Sequence, residues 1–312
     1  MSRDDVAREL YQFIRRPSRG EWYPGDYSRA RGAVDLHLHS GRGRQEPLAL
    51  AKLASTSGVR ALVFKSPQLI TTVETARILN EVLADWSQDQ DVHPVQVVGS
   101  VVLGPNTGGV NPNYAATCVD SGARVVWMPT VTAHWVAWFK QIPVEEAKAE
   151  GTYVLEGDQL LPEVEEVLDL VKERDVAISF GHLSKEEHFA LAEACQTRGI
   201  TRAFVDHPLA PAANFSVQEL QRLAGKGVTI NFTFWELSHY CGVTAQEMVA
   251  AIRQIGPQWV TLSSDSGNEM YAGSLEAMRL HAVMVDLYGF SPEEQRMMLS
   301  ANQLRILGLD ES

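Results

Sequence analysis

Gly32-Ala33-Val34-Asp35-Leu36-His37-Leu38-His39-Ser40 is the stretch from which the chain is read. It reads as a short apolar strand that ends in two histidines two residues apart. Side chains alternate across a strand, so His37 and His39 are expected on one face and Leu36 and Leu38 on the other. Two imidazoles on one face at a strand end can bind one metal ion from the same side. A single His-x-His carries little weight alone; its weight depends on how the later strands end.

Downstream, strands and helices alternate. Strand 32–39 leads to a helix near 47–57. Strand 59–65 leads to a helix near 71–85, opened by a Thr71…Glu74 capping box. Strand 95–103 leads through Gly104-Pro-Asn-Thr-Gly-Gly109 to a helix near 112–121. Strand 123–128 is followed by a long excursion, then helix 162–174. Strand 175–181 leads to helix 185–198, strand 202–206 to helix 216–225, and strand 228–233 to helix 244–254. Capping residues Ser184…Glu187, Ser216…Glu219 and Thr244…Glu247 open these three helices. Strand 258–264 leads to helix 274–287, and a last helix opens at Ser291. Eight short, apolar strands, each followed by a helix, predict an α/β fold of the (β/α)8 barrel type. A doubly wound open sheet is the alternative, but no G-x-G-x-x-G follows the first strand. We expect one domain, the barrel over 32–312. Residues 1–31 precede it as an arm with an amphipathic helix over 3–16 (Val6, Leu10, Phe13 and Ile14 on one side), packed on the domain or on a second subunit of a homo-oligomer.

The chain has 312 residues, 45% of them hydrophobic and 21% charged, which suits a globular enzyme with an ample core. A net charge of -12 argues against nucleic acid and anionic membranes as partners and leaves a small-molecule substrate. Cys118, Cys195 and Cys241 are far apart and form no C-x-x-C, consistent with a reducing cytoplasm. No signal peptide is expected, and no stretch approaches the roughly 18 apolar residues that span a membrane.

In a (β/α)8 barrel, chemistry sits where the strands end. Strand one ends in His37 and His39, strand two in Lys65, strand five in Gly181-His182, strand six in Asp206-His207, and strand eight in Ser264-Asp265. His134 follows strand four and His239 follows strand seven. His93, His188 and His281 lie elsewhere, before a strand or within helices, and read as structural or surface residues. Imidazoles with a carboxylate are the ligands that Zn²⁺ prefers, with Mn or Fe as alternatives. His37, His39, His182, His207 and Asp265 could hold one or two divalent ions and leave a position for water, whose pKa a metal lowers toward ~7. Asp265 could also move the proton of that water. Lys65 has three readings: a carbamate formed with CO₂ and bridging two ions, a cation for a substrate carboxylate or oxyanion, or a lysine that snorkels to an acid.

The excursion from Thr130 to Leu161 is long for a βα loop. Its apolar part, Thr132-Ala-His134-Trp135-Val-Ala-Trp138-Phe139, reads as a lid with His134 facing the substrate, or as a helix packed on the barrel or another subunit. Arg42, Arg44, Asn106, Trp135, His239 and Tyr240 are further candidates for the pocket wall.

In Asp35-Leu-His37-Leu-His39, His182, His207 and Asp265, taken in that order, the chain resembles the amidohydrolase superfamily of metal-dependent hydrolases. That resemblance implies a (β/α)8 barrel with one or two metals. It implies His37, His39, His182, His207 and Asp265 as ligands and Asp265 as general base, for cleavage of amide, ester or phosphoester bonds or for deamination. Binuclear members usually carry the bridging lysine on strand four; here that strand ends Trp127-Met-Pro-Thr. The chain is similar to a branch with the lysine on strand two and a comparable Val-Trp-Met-Pro-Thr stretch. The opening Asp35-Leu-His-Leu-His-Ser40 also resembles the polymerase-and-histidinol-phosphatase family, which usually carries Asp-His where this chain has Lys65-Ser66.

The main expectation is a metal-dependent hydrolase acting on a C–N bond of a small amide, cyclic amide or lactone-like substrate. The alternatives are a phosphoesterase, a metal-dependent decarboxylase on the same scaffold, and a non-catalytic barrel.

Overall fold

The computed structural model describes residues 26–39, 46–66, 70–267 and 272–310. The expected helix over 3–16, the arm up to residue 25, and Arg42 and Arg44 lie outside them.

The strands are β1 Val34–His39, β2 Ala61–Lys65, β3 Gln96–Val98, β4 Ser100–Val102, β5 Val125–Trp127, β6 Leu155–Glu156, β7 Gln159–Leu160, β8 Ala177–Ser179, β9 Ala203–Asp206, β10 Thr229–Thr233 and β11 Val260–Ser263. All pair in parallel except β6 and β7, which form a small antiparallel ribbon in the excursion. One sheet runs β1-β2-β3 and the other β11-β10-β9-β8-β5-β4. The two sheets meet at both edges. β3 and β4 are halves of the single strand expected over 95–103, interrupted at Gly99. A Cβ there would lie 2.8 Å from the Val73 Cα, so the strand bends where a helix backbone crosses it. At the other edge Asp265 N donates to His37 O, and His39 N to Ser266 O, both at 2.8 Å. The ring is thereby complete, and the fold is the (β/α)8 barrel rather than an open sheet.

The inner face is divided. On one side Val34, Leu36, Val63, Trp127 and Phe204 fill the barrel, closed off by Leu304, Ile306 and Leu307 of the last helix. On the other side β10 and β11 turn polar residues inward. Asn231 Nδ2 donates to Asp206 Oδ1 at 2.7 Å, and the Thr261 and Ser263 hydroxyls donate to Asn231 Oδ1 at 2.9 and 2.5 Å. The outer faces, such as Leu62, Phe64 and Ile178, pack under the helices. Each such buried side chain contributes roughly 1.5–3 kcal/mol.

Leu36 and Leu38 do not share a face. The β1/β2 register shifts between Asp35 and Leu38, a bulge that leaves Leu36 in the inner cluster and Leu38 in the outer one. The expected alternation is therefore corrected at this point. Asp35, fully buried, accepts from Ser264 N (2.9 Å), the Ser264 hydroxyl (2.5 Å) and the Ser274 hydroxyl (2.6 Å). These bonds fasten β1 to the loop after β11.

Capping boxes form at Ser184/Glu187, Ser216/Glu219, Thr244/Glu247 and Ser291/Glu294. The expected Thr71/Glu74 box does not. The helix begins at Val73, so Glu74 is one position too early and pairs with Arg77 instead. The Thr71 and Thr72 hydroxyls donate to Ser100 O and Phe64 O. Within the excursion, helices Ala133–Lys140 and Val144–Ala147 pack on each other through Ala133, Val136, Ala137 and Ala147. Among the described residues no helix is long and apolar enough to cross a membrane.

Candidate metal centre

His37 stands at the middle of the candidate site and is fully buried. Its Nδ1 lies 3.2 Å from Asp206 Oδ1, and a carboxylate oxygen there requires Nδ1 to carry the proton. The Nε2 lone pair then faces away from Asp206, toward Asp265 Oδ1 at 3.2 Å and Lys65 Nζ at 3.1 Å. His39 Nε2 reaches the same Asp265 oxygen at 3.1 Å. One carboxylate oxygen, two imidazole nitrogens and one amine therefore converge at the mouth of the barrel.

Asp206 is fixed in turn by the Ser179 hydroxyl at 2.5 Å and by Asn231, so the polar half of the barrel interior holds the orientation of His37. Lys65 is completely buried, with Nζ 4.4 Å over the Trp127 ring, and the His37 ring packs on the same indole at 4.9 Å.

The ends of β8 and β9 bring in two more imidazoles. His182 follows Gly181, whose φ is +68° and whose Cβ, if present, would lie 2.4 Å from Met128 O and Pro129 O; only glycine allows this turn. The His182 and His207 rings are 4.8 Å apart, edge to face, and His207 also packs on Trp235 at 5.3 Å. His207 and Asp265 both have positive φ, 33° and 50°. Such strain at strand ends persists only where the surroundings over-determine it.

Burial pushes the His37 imidazole down to about 4, although Asp265 and Asp206 pull it up. Burial likewise lowers His182 and His207. All three are neutral near pH 7, the form that ligates a metal. Burial works against ionisation of Asp206 and Asp265, but the surrounding imidazoles, His37 first, outweigh it and hold both carboxyls below the usual range. Burial lowers Lys65 as well, against the pull of Asp206 and Asp265.

The donors fit a divalent ion. One ligand atom each from His37, His207 and Asp265 lie within 4.8 Å of one another. Nδ1 of His39, His182 and His207 are buried without a protein partner. Neutral imidazoles and an ionised carboxylate are the donor set that Zn²⁺, Mn²⁺ and Fe²⁺ accept.

Of the other sequence candidates, His134 and Trp135 border His182, whereas His239 and Asn106 are exposed. Trp135 stacks on His182 at 4.7 Å. His134 places Nε2 2.8 Å from Ala212 O, so that nitrogen donates to the backbone. His239 is exposed and stacks on Tyr240 at 4.1 Å. Asn106 is exposed in the turn Pro105–Thr107.

Three residues without an assigned role in the sequence reading belong to this region: Asp206, Trp127 and Glu236. Glu236 is fully buried, accepts from Thr233 N (2.6 Å) and Leu209 N (2.7 Å), and is pushed up to about 8 by burial. It ties the loop after β9 to the end of β10.

Residues 32–231 match DUF6282, described as a family of unknown function. The chain belongs to this family. The matched region holds every candidate ligand except Asp265. No curated protein matches the chain. Among solved structures, an amidohydrolase from Pseudomonas aeruginosa is similar at 12% identity and TM-score 0.62, covering 91% of this chain and 98% of that one. An amidohydrolase from Burkholderia multivorans with bound zinc is similar at 13% identity and TM-score 0.53, covering 89% and 99%. A dihydroxybenzoic acid decarboxylase from Polaromonas sp. JS666, with bound manganese and 2-nitroresorcinol, is similar at 13% identity and TM-score 0.54, covering 89% and 97%. These neighbours are amidohydrolase-superfamily proteins, and this DUF6282 member has their barrel fold.

Proposed function

We propose that the chain is a metal-dependent hydrolase that cleaves an amide, cyclic amide or related C–N bond of a small organic substrate, with an ester or lactone as a close variant. The observation that carries this reading is the convergence of His37, His207 and Asp265 within metal-binding distance at the C-terminal mouth of the barrel. Neighbours described with bound zinc or manganese support it. When bound, a divalent ion, zinc in first place, lowers the pKa of water toward ~7 and offsets charge developing on the carbonyl oxygen.

The chain's own groups do the rest. Asp265, whose Oδ1 lies beside His37 Nε2 and His39 Nε2, accepts a proton at its carboxylate and returns it to the leaving nitrogen. Asp206 keeps the His37 proton on Nδ1. Burial favours the neutral amine of Lys65, the form that adds CO₂ with loss of one proton; the anionic carbamate so formed would supply a further ligand. Trp135 and Trp235, packed against His182 and His207, line the approach with aromatic surface.

A second reading, a metal-dependent decarboxylase, draws on the decarboxylases among the similar structures. The phosphoesterase reading has less support: β2 ends in Lys65, and Leu103-Gly104 follow β4 where a carboxylate is needed.

The test is to load the protein with zinc or manganese and screen it in parallel on amides, cyclic amides, lactones, aryl phosphates and hydroxybenzoates. We expect C–N hydrolysis that falls by roughly 10²–10⁴-fold in Asp265→Asn. CO₂ release without hydrolysis would select the decarboxylase. A metal-loaded protein inert on all five classes, or an Asp265→Asn variant at wild-type rate, would overturn the proposal.

A further inference from the structure

The excursion meets the candidate centre at its first helical turn, from Thr132 to Trp135. Thr132 is fully buried and is the N-cap of the helix Ala133–Lys140. Its hydroxyl oxygen lies 2.6 Å from His182 O and 2.9 Å from Trp135 N. The partners fix the direction of both bonds. A carbonyl only accepts and a backbone N–H only donates. The single hydroxyl hydrogen therefore goes to His182 O, and a hydroxyl lone pair takes the Trp135 N–H. One side chain closes the helix start and holds the backbone of a strand-end histidine.

Further contacts make this turn a strap. The Trp135 ring rests on the His182 ring, with centroids 4.7 Å apart. His134 Nε2 donates to Ala212 O at 2.8 Å. Ala212 lies in the loop that His207 opens, where Ala210 N donates to His207 O at 3.1 Å. The far arm of the excursion backs Thr132. Ala133 N donates to Thr152 O (2.9 Å) and Thr152 N to Val131 O (3.0 Å). A Cβ at Gly151 would lie 2.3 Å from the Thr132 carbonyl carbon, so the two arms are in direct backbone contact. One helical turn thus ties together the loops that carry His182 and His207.

We propose that Thr132 is a positioning residue: its hydroxyl fixes His182 and Trp135 against each other, so that the excursion is a built-in wall of the centre rather than a lid that swings free. The hydroxyl makes two bonds at once. Without it, the His182 carbonyl and the Trp135 N–H both lose their partner, and the indole loses its seat on the imidazole. The effect on metal binding rests on the proposed function; the coupling of Thr132, Trp135 and His182 does not.

The test uses metal-free full-length protein. The His182 ring protons are followed in ¹H–¹³C spectra, with their signal assigned by its loss in His182→Gln. Trp135→Leu gives the part of their shift that the indole causes. We expect Thr132→Val, similar in shape but without the hydroxyl, to move the His182 signal by most of that amount. Thr132→Ser leaves it at the wild-type position. Zn²⁺ affinity, measured against a competing chelator, falls about 10-fold in Thr132→Val and recovers in Thr132→Ser. Serine lacks the methyl group, so it would not restore a loss that came from packing alone. A His182 signal or a Zn²⁺ affinity unchanged in Thr132→Val, or a Thr132→Ser variant that behaves like Thr132→Val, would overturn the proposal. The expected signals in a protein that binds no metal in any form would support the coupling and defeat the metal reading instead. Should Thr132→Val fail to fold, the wild type decides by hydrogen exchange and ring-to-ring NOEs. A protected Trp135 amide together with NOEs between the Trp135 and His182 rings supports the proposal. An amide that exchanges at the open-chain rate, or the absence of those NOEs, overturns it.

Discussion

The central residue is held from both sides. His37 gives its Nδ1 proton to Asp206 and turns Nε2 toward Asp265 and Lys65. Asp206 therefore acts through His37 rather than on a substrate. Asp206→Asn keeps the shape but offers an amide whose N–H₂ competes for the same nitrogen. We expect metal affinity to drop about 10- to 100-fold with the fold retained, measured by chelator competition and circular dichroism. Affinity equal to wild type would show that His37 needs no such partner. The histidines at strand ends were legible in the sequence because a barrel collects its strand ends at one mouth. Asp206 and Trp127 were not, because their roles depend on facing inward toward neighbours on other strands. His188 sits on a helix whose polar neighbours gave no hint that its ring is buried.

At the level of elements, the βα units carry the site because their turns are shaped for it. Gly181 allows the chain to turn directly against the backbone of Met128 and Pro129, and so aims His182. Gly181→Ala would place a methyl 2.4 Å from two carbonyl oxygens in a left-handed conformation. We expect a loss of at least about 1–3 kcal/mol in stability, read from urea unfolding, together with weakened metal binding. An unchanged unfolding midpoint would mean that the turn relaxes freely. Helix starts with Ser or Thr three residues before Glu were readable, since the cap is a local bond between neighbours in sequence. The Thr71 box failed because β4 and β2 offered Thr71 and Thr72 carbonyl partners that no local pattern reveals. The bulge in β1 and the break at Gly99 are likewise tertiary: each answers to a neighbouring strand or helix.

For the molecule as a whole, the hydrogen-bonded ring of strands sets the stability, and buried histidines make it pH-dependent. His281 sits on helix Ser274–Leu287, fully buried, with Nε2 3.1 Å from Ser263 O, and burial lowers its pKa to about 4. The unfolded chain binds this proton near pH 6.5, so His281 contributes fully above that value. Its contribution is lost as pH falls through about 4. Metal-free protein should lose unfolding free energy between pH 6.5 and 4, and His281→Gln should flatten that slope. A slope identical in the variant would assign the acid sensitivity elsewhere. At this scale the eightfold alternation was legible because each unit repeats strand, turn and amphipathic helix. The divided interior was not, since polar Asn231, Thr261 and Ser263 look the same in sequence whether they face solvent or Asp206. The most direct measurement is metal per chain, by elemental analysis of protein purified without chelator, for the wild type beside His207→Ala. The account predicts one or two ions per chain in the wild type, and their loss in a variant that stays folded. A wild type without metal, or a variant that keeps its full complement, would contradict it.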